Sequence, residues 1–129
     1  MIIVTGCGRS GTCYTSKVCQ KLGWDIPHDR CGKDGIVAWQ VAGGARSSLC
    51  GINPEKILAQ RTVLIHQVRS PLDVIASCTT FNRYSWEYID KLTPAKLSMP
   101  AVERAASYYY YWNRLVEQLR PDGRFRIAD

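Results

Sequence analysis

The chain lacks the features that would place it in several large classes. It has no apolar run approaching the roughly 20 residues needed to span a bilayer, so no membrane partner is expected. No C-x-x-C pair occurs among its six cysteines (7, 13, 19, 31, 50 and 78), which argues against a zinc site, and no metal is expected. Repeats and low-complexity tracts are missing as well. Its aromatic and basic residues do not follow the pattern of a common RNA-binding module, so no nucleic-acid partner is expected. An apolar strand pattern begins at Ile2, so no signal or anchor segment is expected. Free thiols in a reducing cytoplasm are therefore the expected state of the cysteines.

What is present fits one domain spanning residues 1–129. Hydrophobic content of 46% and charged content of 22% are ordinary for a globular protein. Its 17 basic and 11 acidic residues give a formal net charge of +6, a balance that suits an anionic partner.

The most informative stretch is Met1-Ile2-Ile3-Val4-Thr5-Gly6-Cys7-Gly8-Arg9-Ser10-Gly11-Thr12-Cys13. An apolar β-branched run meets a glycine-spaced turn, and a helical pattern follows from about Thr12. This is the sequence form of a phosphate cradle: backbone N–H groups curl inward and the next helix adds its N-terminal partial charge. Arg9 adds a full charge and a planar fork suited to phosphate oxygens. Gly6 and Gly11 have Walker A spacing, yet Thr12 stands where that motif has lysine. No apolar strand ends in a Walker B aspartate either. A phosphate cradle that works without magnesium fits better than a nucleoside triphosphatase loop.

Downstream, Thr12 to Leu22 reads as a helix with Val18, Leu22 and Cys19 on its buried stripe and Gly23 as its stop. Residues 24–34 are polar and irregular. Residues 35–41 are apolar, and periodicity leaves strand or short helix open. Residues 43–51 read as a loop, and Asn53-Pro54 caps a short helix through about Gln60. Residues 61–68 form a second apolar strand, continuous enough to be central in a parallel sheet. Ser70-Pro71 then opens a helix to about Thr80. Helices follow over 84–92 and 100–119, the latter with Val102, Ala106, Tyr109, Tyr110, Leu115 and Leu119 buried, and 124–129 reads as a strand. The expected fold is therefore α/β, a three-layer parallel sheet flanked by helices. Ligands in such folds bind at the carboxyl ends of strands, which brings the loop and Arg69 together.

In Arg69-Ser70-Pro71-Leu72-Asp73-Val74-Ile75-Ala76-Ser77, an arginine at a strand tip and a serine two helical turns on can grip one phosphate from two sides. Two separate grips suggest a ligand phosphorylated at two places. On these two motifs the chain resembles the sulfotransferases that use 3′-phosphoadenosine-5′-phosphosulfate, which have a P-loop, nucleotide-kinase-like fold. Its Gly8-Arg9-Ser10-Gly11-Thr12 is similar to their 5′-phosphosulfate loop, and the Arg69–Ser77 segment is similar to their 3′-phosphate motif. The helix with Trp112 and the terminal Arg126-Ile127-Ala128-Asp129 also resemble segments of that family. The likeness covers most of the chain. Family members are usually longer, with a glycine- and lysine-rich closing loop, so the resemblance implies a short member without the usual C-terminal part.

The resemblance implies a nucleotide donor held by Gly8, Arg9, Ser10, Gly11, Thr12, Cys13, Arg69 and Ser77, with a hydroxyl or amine acceptor. Arg9, with the loop amides, would stabilise the leaving phosphate without a metal. His28 is the first candidate for the catalytic base and Asp29 the second, since an unperturbed imidazole titrates near pH 6.5. His66, on the second strand, is expected to point into the core or the sheet face. Tyr108 to Tyr111 and Trp112 wrap around their helix and read as core plus surface. The acceptor pocket would come from residues 24–52 and 81–99, and the sequence names no acceptor. A small P-loop kinase and a non-catalytic nucleotide-binding fragment remain the alternatives.

Overall fold

The computed structural model describes residues 1–46 and 53–127. Strand β1 (Ile2–Gly6) leads through the loop into helix α1 (Thr12–Lys21). Strand β2 (Gly35–Val37) and a 3-10 segment (Trp39–Arg46) follow, then α2 (Pro54–Ala59) and β3 (Val63–Val68). Helix α3 (Pro71–Ser77) ends in a 3-10 turn (Cys78–Thr80), and α4 (Arg83–Leu92), α5 (Ala101–Gln118) and β4 (Gly123–Arg126) complete the order. The four strands form one all-parallel sheet in the order β2-β1-β3-β4. The two apolar strands legible in the sequence are thus its central pair, in a register that sets Gly6 beside Gln67. Their β-branched runs are buried on both faces, as central parallel strands require.

Side chains alternate across the sheet, and β1 shows which helices cover each face. Val4 packs with Ile26, Val37 and Cys19 of α1, whereas Ile3 packs with Ile36, Leu64 and Ile57 of α2. A third cluster gathers Val74 of α3, Trp86, Tyr88 and Ile89 of α4, and Ala105, Tyr108, Trp112 and Val116 of α5. Among the described residues, no helix is long and apolar enough to cross a membrane.

Several expectations are corrected. The stretch at 35–41, open between strand and helix, divides into the three-residue β2 and the start of the 3-10 segment; where a loop was expected from Gly43, that segment continues to Arg46 across a kink at Gly44 (φ 64°). The remainder of the expected loop, 47–51, and Ala128 and Asp129 of the expected final strand lie outside the described residues. Helix α1 buries Thr12 and Ser16, leaving Val18 at 36% and Leu22 at 71% exposure. It is turned with its small polar residues inward because Ser16 Oγ donates to the Ile26 carbonyl at 2.9 Å. On α5, Val102, Ala106 and Tyr110 are exposed, and the packed stripe is Ala105, Tyr108, Trp112 and Val116. Ser70 precedes α3 without a side-chain cap bond, so Pro71 at the first turn carries that start. Asn53 Oδ1 does cap α2, accepting from Lys56 N–H at 3.1 Å.

Candidate functional site

The loop leaves β1 at Gly6 and reaches α1 through two left-handed residues, Arg9 (φ 72°) and Gly11 (φ 92°). Glycine adopts that geometry freely, but arginine does not, and such strain is tolerated where surrounding structure fixes it. Four neighbours do the fixing. The Gly8 N–H donates to the Tyr108 hydroxyl at 2.7 Å. Gln67, on β3, donates from Nε2 to the Ser10 carbonyl at 2.6 Å. Arg9 donates from Nη2 to the Thr80 carbonyl at 3.1 Å and stacks its guanidinium 4.9 Å from the Phe81 ring centre. Arg9 Nε is buried without a partner among the described residues, an unused donor in this wall of the site.

Gly8 leaves no space for a side chain. A Cβ there would come within 2.8 Å of both Phe81 Cζ and the Tyr108 hydroxyl oxygen. The loop therefore rests directly on aromatic rings. Trp39, Phe81, Trp86, Tyr88, Tyr108 and Trp112 stack and edge against one another with ring centres 5.0–6.4 Å apart. Contacts of this kind favour offset and edge-on geometry and give a stiff support. Trp112 Nε1–H donates to the Trp39 carbonyl at 3.2 Å, satisfying its buried polar atom.

A cleft of about 290 Å³ opens above this support. Gly8, Arg9, Gly11, Thr12, Cys13, His28, Trp39, Arg69, Ser77 and Phe81 line it. The structure thus brings the loop, the strand-tip arginine, the helix serine and the candidate base histidine around one space. Arg69 is set there by the end of β3, with its carbonyl accepting from the Tyr109 hydroxyl at 3.1 Å. Ser77 is the last residue of α3. Ser10 does not line the cleft: its side chain is 1% exposed and its Oγ has no partner among the described residues. Asp29 also stands behind the lining, as a support to His28.

His28 is held by its own backbone, which bridges to Val37 in parallel, and Asp29 N–H donates to the Val37 carbonyl at 3.0 Å. Its Nε2 lies 3.1 Å from Thr12 Oγ1 and its Nδ1 lies 3.3 Å from Asp29 Oδ2. Burial pushes the Asp29 carboxyl above its usual range, while His28 and Gln40 pull it back. Two thiols lie beneath the loop. Burial pushes Cys78 up to about 12 and Cys7 well above its ordinary value, so neither is a nucleophile at neutral pH. Cys13 is exposed on the rim of the cleft. His66 is 1% exposed and bonded through Nε2 to Asn113 Oδ1 at 2.9 Å, a core histidine away from the cleft.

Sequence reasoning missed Gln67, Tyr108, Trp39 and Phe81. Gln67 had a signal, because an amide in an otherwise apolar central strand must find a buried partner. The aromatic residues had none that marks the loop. Among the described residues, no group of three or more His, Cys, Asp or Glu is arranged to hold a metal ion. No family model matches the chain, and no curated protein or solved structure matches it significantly.

Proposed function

We propose that this chain is a sulfotransferase of the P-loop, nucleotide-kinase-like type. In this reading it moves a sulfuryl group from 3′-phosphoadenosine-5′-phosphosulfate to a hydroxyl or amine acceptor. The single observation that carries the reading is the meeting of the two expected phosphate grips in one cleft, with Gly8, Arg9, Gly11, Thr12 and Cys13 on one side and Arg69 with Ser77 on the other. A 3′,5′-bisphosphorylated nucleoside offers one phosphate to each grip. Arg9, the loop amides and the start of α1 supply positive charge where the bond to the leaving 5′-phosphate breaks. His28 faces the same space as the base for the acceptor proton, with Asp29 behind it. Thr12 in place of a Walker lysine favours this donor over ATP. Free thiols at all five described cysteines suit a cytoplasmic setting.

Thermal stability with adenosine 3′,5′-bisphosphate, compared with ATP and magnesium, tests the reading. A ligand at 100 times its Kd adds about 2.7 kcal/mol to the folded state, enough to raise melting by several degrees. The expected result is a shift with the bisphosphate alone, lost in Arg69→Ala. A shift with ATP alone would replace this reading with a P-loop kinase, and bisphosphate binding without sulfuryl transfer would leave a non-catalytic nucleotide-binding fragment.

A further inference from the structure

Thr12 is 5% exposed at the first turn of α1, and its hydroxyl reaches the ring of His28. A neutral imidazole keeps one proton and one lone pair. Nδ1 lies 3.3 Å from the Asp29 carboxylate, which holds the proton on that nitrogen. Nε2 then carries the lone pair and, at 3.1 Å, accepts from Thr12 Oγ1–H. The ring atom placed to take an acceptor proton is therefore already occupied by a hydroxyl of the phosphate loop. One hydroxyl has one proton to donate. An anion seated on the loop competes for it, because a charged oxygen makes the stronger, charge-assisted bond.

The geometry points to Thr12 as a positioning residue that gates His28, turning its hydroxyl hydrogen bond from Nε2 to a bound phosphate oxygen and so freeing the base only when the loop is filled. The identity of that anion rests on the sulfuryl-transfer reading; the Thr12–His28 contact does not. With the donor in place, the acceptor oxygen bonds to sulfur as sulfur's bond to the bridging phosphate oxygen breaks. The acceptor proton passes to Nε2, and the electron pair stays on the 5′-phosphate. An acceptor that arrives at an empty loop finds Nε2 taken.

The test follows the His28 ring nitrogens by 15N NMR, with calorimetry to report binding of pyrophosphate or of adenosine 3′,5′-bisphosphate. The chain has only two histidines, so a His28→Gln control assigns the signals. Without ligand, wild type and Thr12→Ser should share a hydrogen-bonded Nε2 signal, and the isosteric Thr12→Val should show a free lone pair. Either ligand should move the wild-type signal toward the Thr12→Val position. Thr12→Val should also bind each ligand about tenfold more weakly, with Thr12→Ser restoring affinity. Identical Nε2 signals in ligand-free wild type and Thr12→Val would overturn the gate. So would a ligand that binds without moving the signal, or failure of both ligands to bind. Pyrophosphate that binds and switches His28 while the bisphosphate does not bind would support the gate and remove the sulfuryl-transfer reading.

Discussion

The loop has two flanks of opposite character. On the α5 flank it lies on a block of interlocked rings, with Gly8 in contact with Tyr108 and Phe81 and with Trp112 fully buried below. On the α1 flank, the helix turns Thr12 and Ser16 inward and leaves Tyr14, Val18 and Leu22 exposed. Stiffness and chemistry are thus divided between them. The aromatic flank fixes the loop's strained path, whereas the α1 flank carries the Thr12 hydroxyl, the His28 ring and the Asp29 carboxylate, which the proposed function uses for proton transfer. If the proposed function holds, the division is the one it requires: a phosphate cradle needs pre-set donors, and a base needs a partner that can let go.

The sharpest way to break this contrast is to hollow out the aromatic flank. Trp112→Ala should cost about 3–5 kcal/mol in urea unfolding, since a fully buried indole is lost and its neighbours cannot close the cavity. A loss below 1 kcal/mol would show that the rings do not act as one support. Tyr108→Phe is the finer cut. It keeps the ring and removes the acceptor for the Gly8 N–H, which should cost about 1–3 kcal/mol for an orphaned buried donor. The same variant should loosen the loop, seen as faster amide exchange at Gly8 than in wild type. Unchanged exchange would mean the bond is not what holds the loop down.

The α5 flank should also be the acid-sensitive one. His66 is buried against Asn113, with Arg124 and Glu117 as the charged groups acting on it. Burial is the largest effect and lowers its pKa, which the Asn113 bond and Glu117 oppose and Arg124 reinforces. The unfolded chain therefore takes up this proton first as pH falls. Stability from neutral His66 is held above the unfolded value of about 6.5 and lost as pH drops through it toward the folded pKa. Urea midpoints measured between pH 8 and pH 5 should fall in wild type and fall less in His66→Asn. Parallel curves would place the acid sensitivity elsewhere.

Local features were legible in the sequence, and features set by distant contacts were not. The strand–loop–helix at Ile2–Lys21 and the Arg69–Ser77 segment follow from β-branched runs, glycine spacing and Pro71, all read within a dozen residues. Their convergence followed from the rule that parallel strands present their carboxyl ends together. The orientation of the helices did not follow. On α5 the run Tyr108 to Trp112 is aromatic all round, so its periodicity cannot say that 105, 108, 112 and 116 face inward. The Gln67–Ser10 and Tyr108–Gly8 bonds join residues 57 and 100 positions apart, beyond any local pattern. His28 was legible as a base candidate, yet its contact with Thr12 depends on how the chain returns after α1.

The α1 stripe gives the smallest expected effect and the most direct check on the other half of the contrast. Apolar residues at 14, 18 and 22 recur every four positions, a spacing that normally marks a buried face. Here Tyr14 is 64% and Leu22 71% exposed, so the transfer free energy that burial would contribute is mostly unrealised. Leu22→Gln should therefore change stability by no more than about 0.5 kcal/mol, as for other exposed positions. Leu22→Gln combined with Tyr14→Gln should stay near the sum of the two small effects. A loss of 2 kcal/mol or more would mean that the stripe is covered in solution. Melting that rises with protein concentration in wild type, and not in the double variant, would then identify the cover as a second copy of the chain. In that case the α1 flank would owe its exposure to the isolated chain alone, and the division between a stiff support and an open side would have to be redrawn around the dimer.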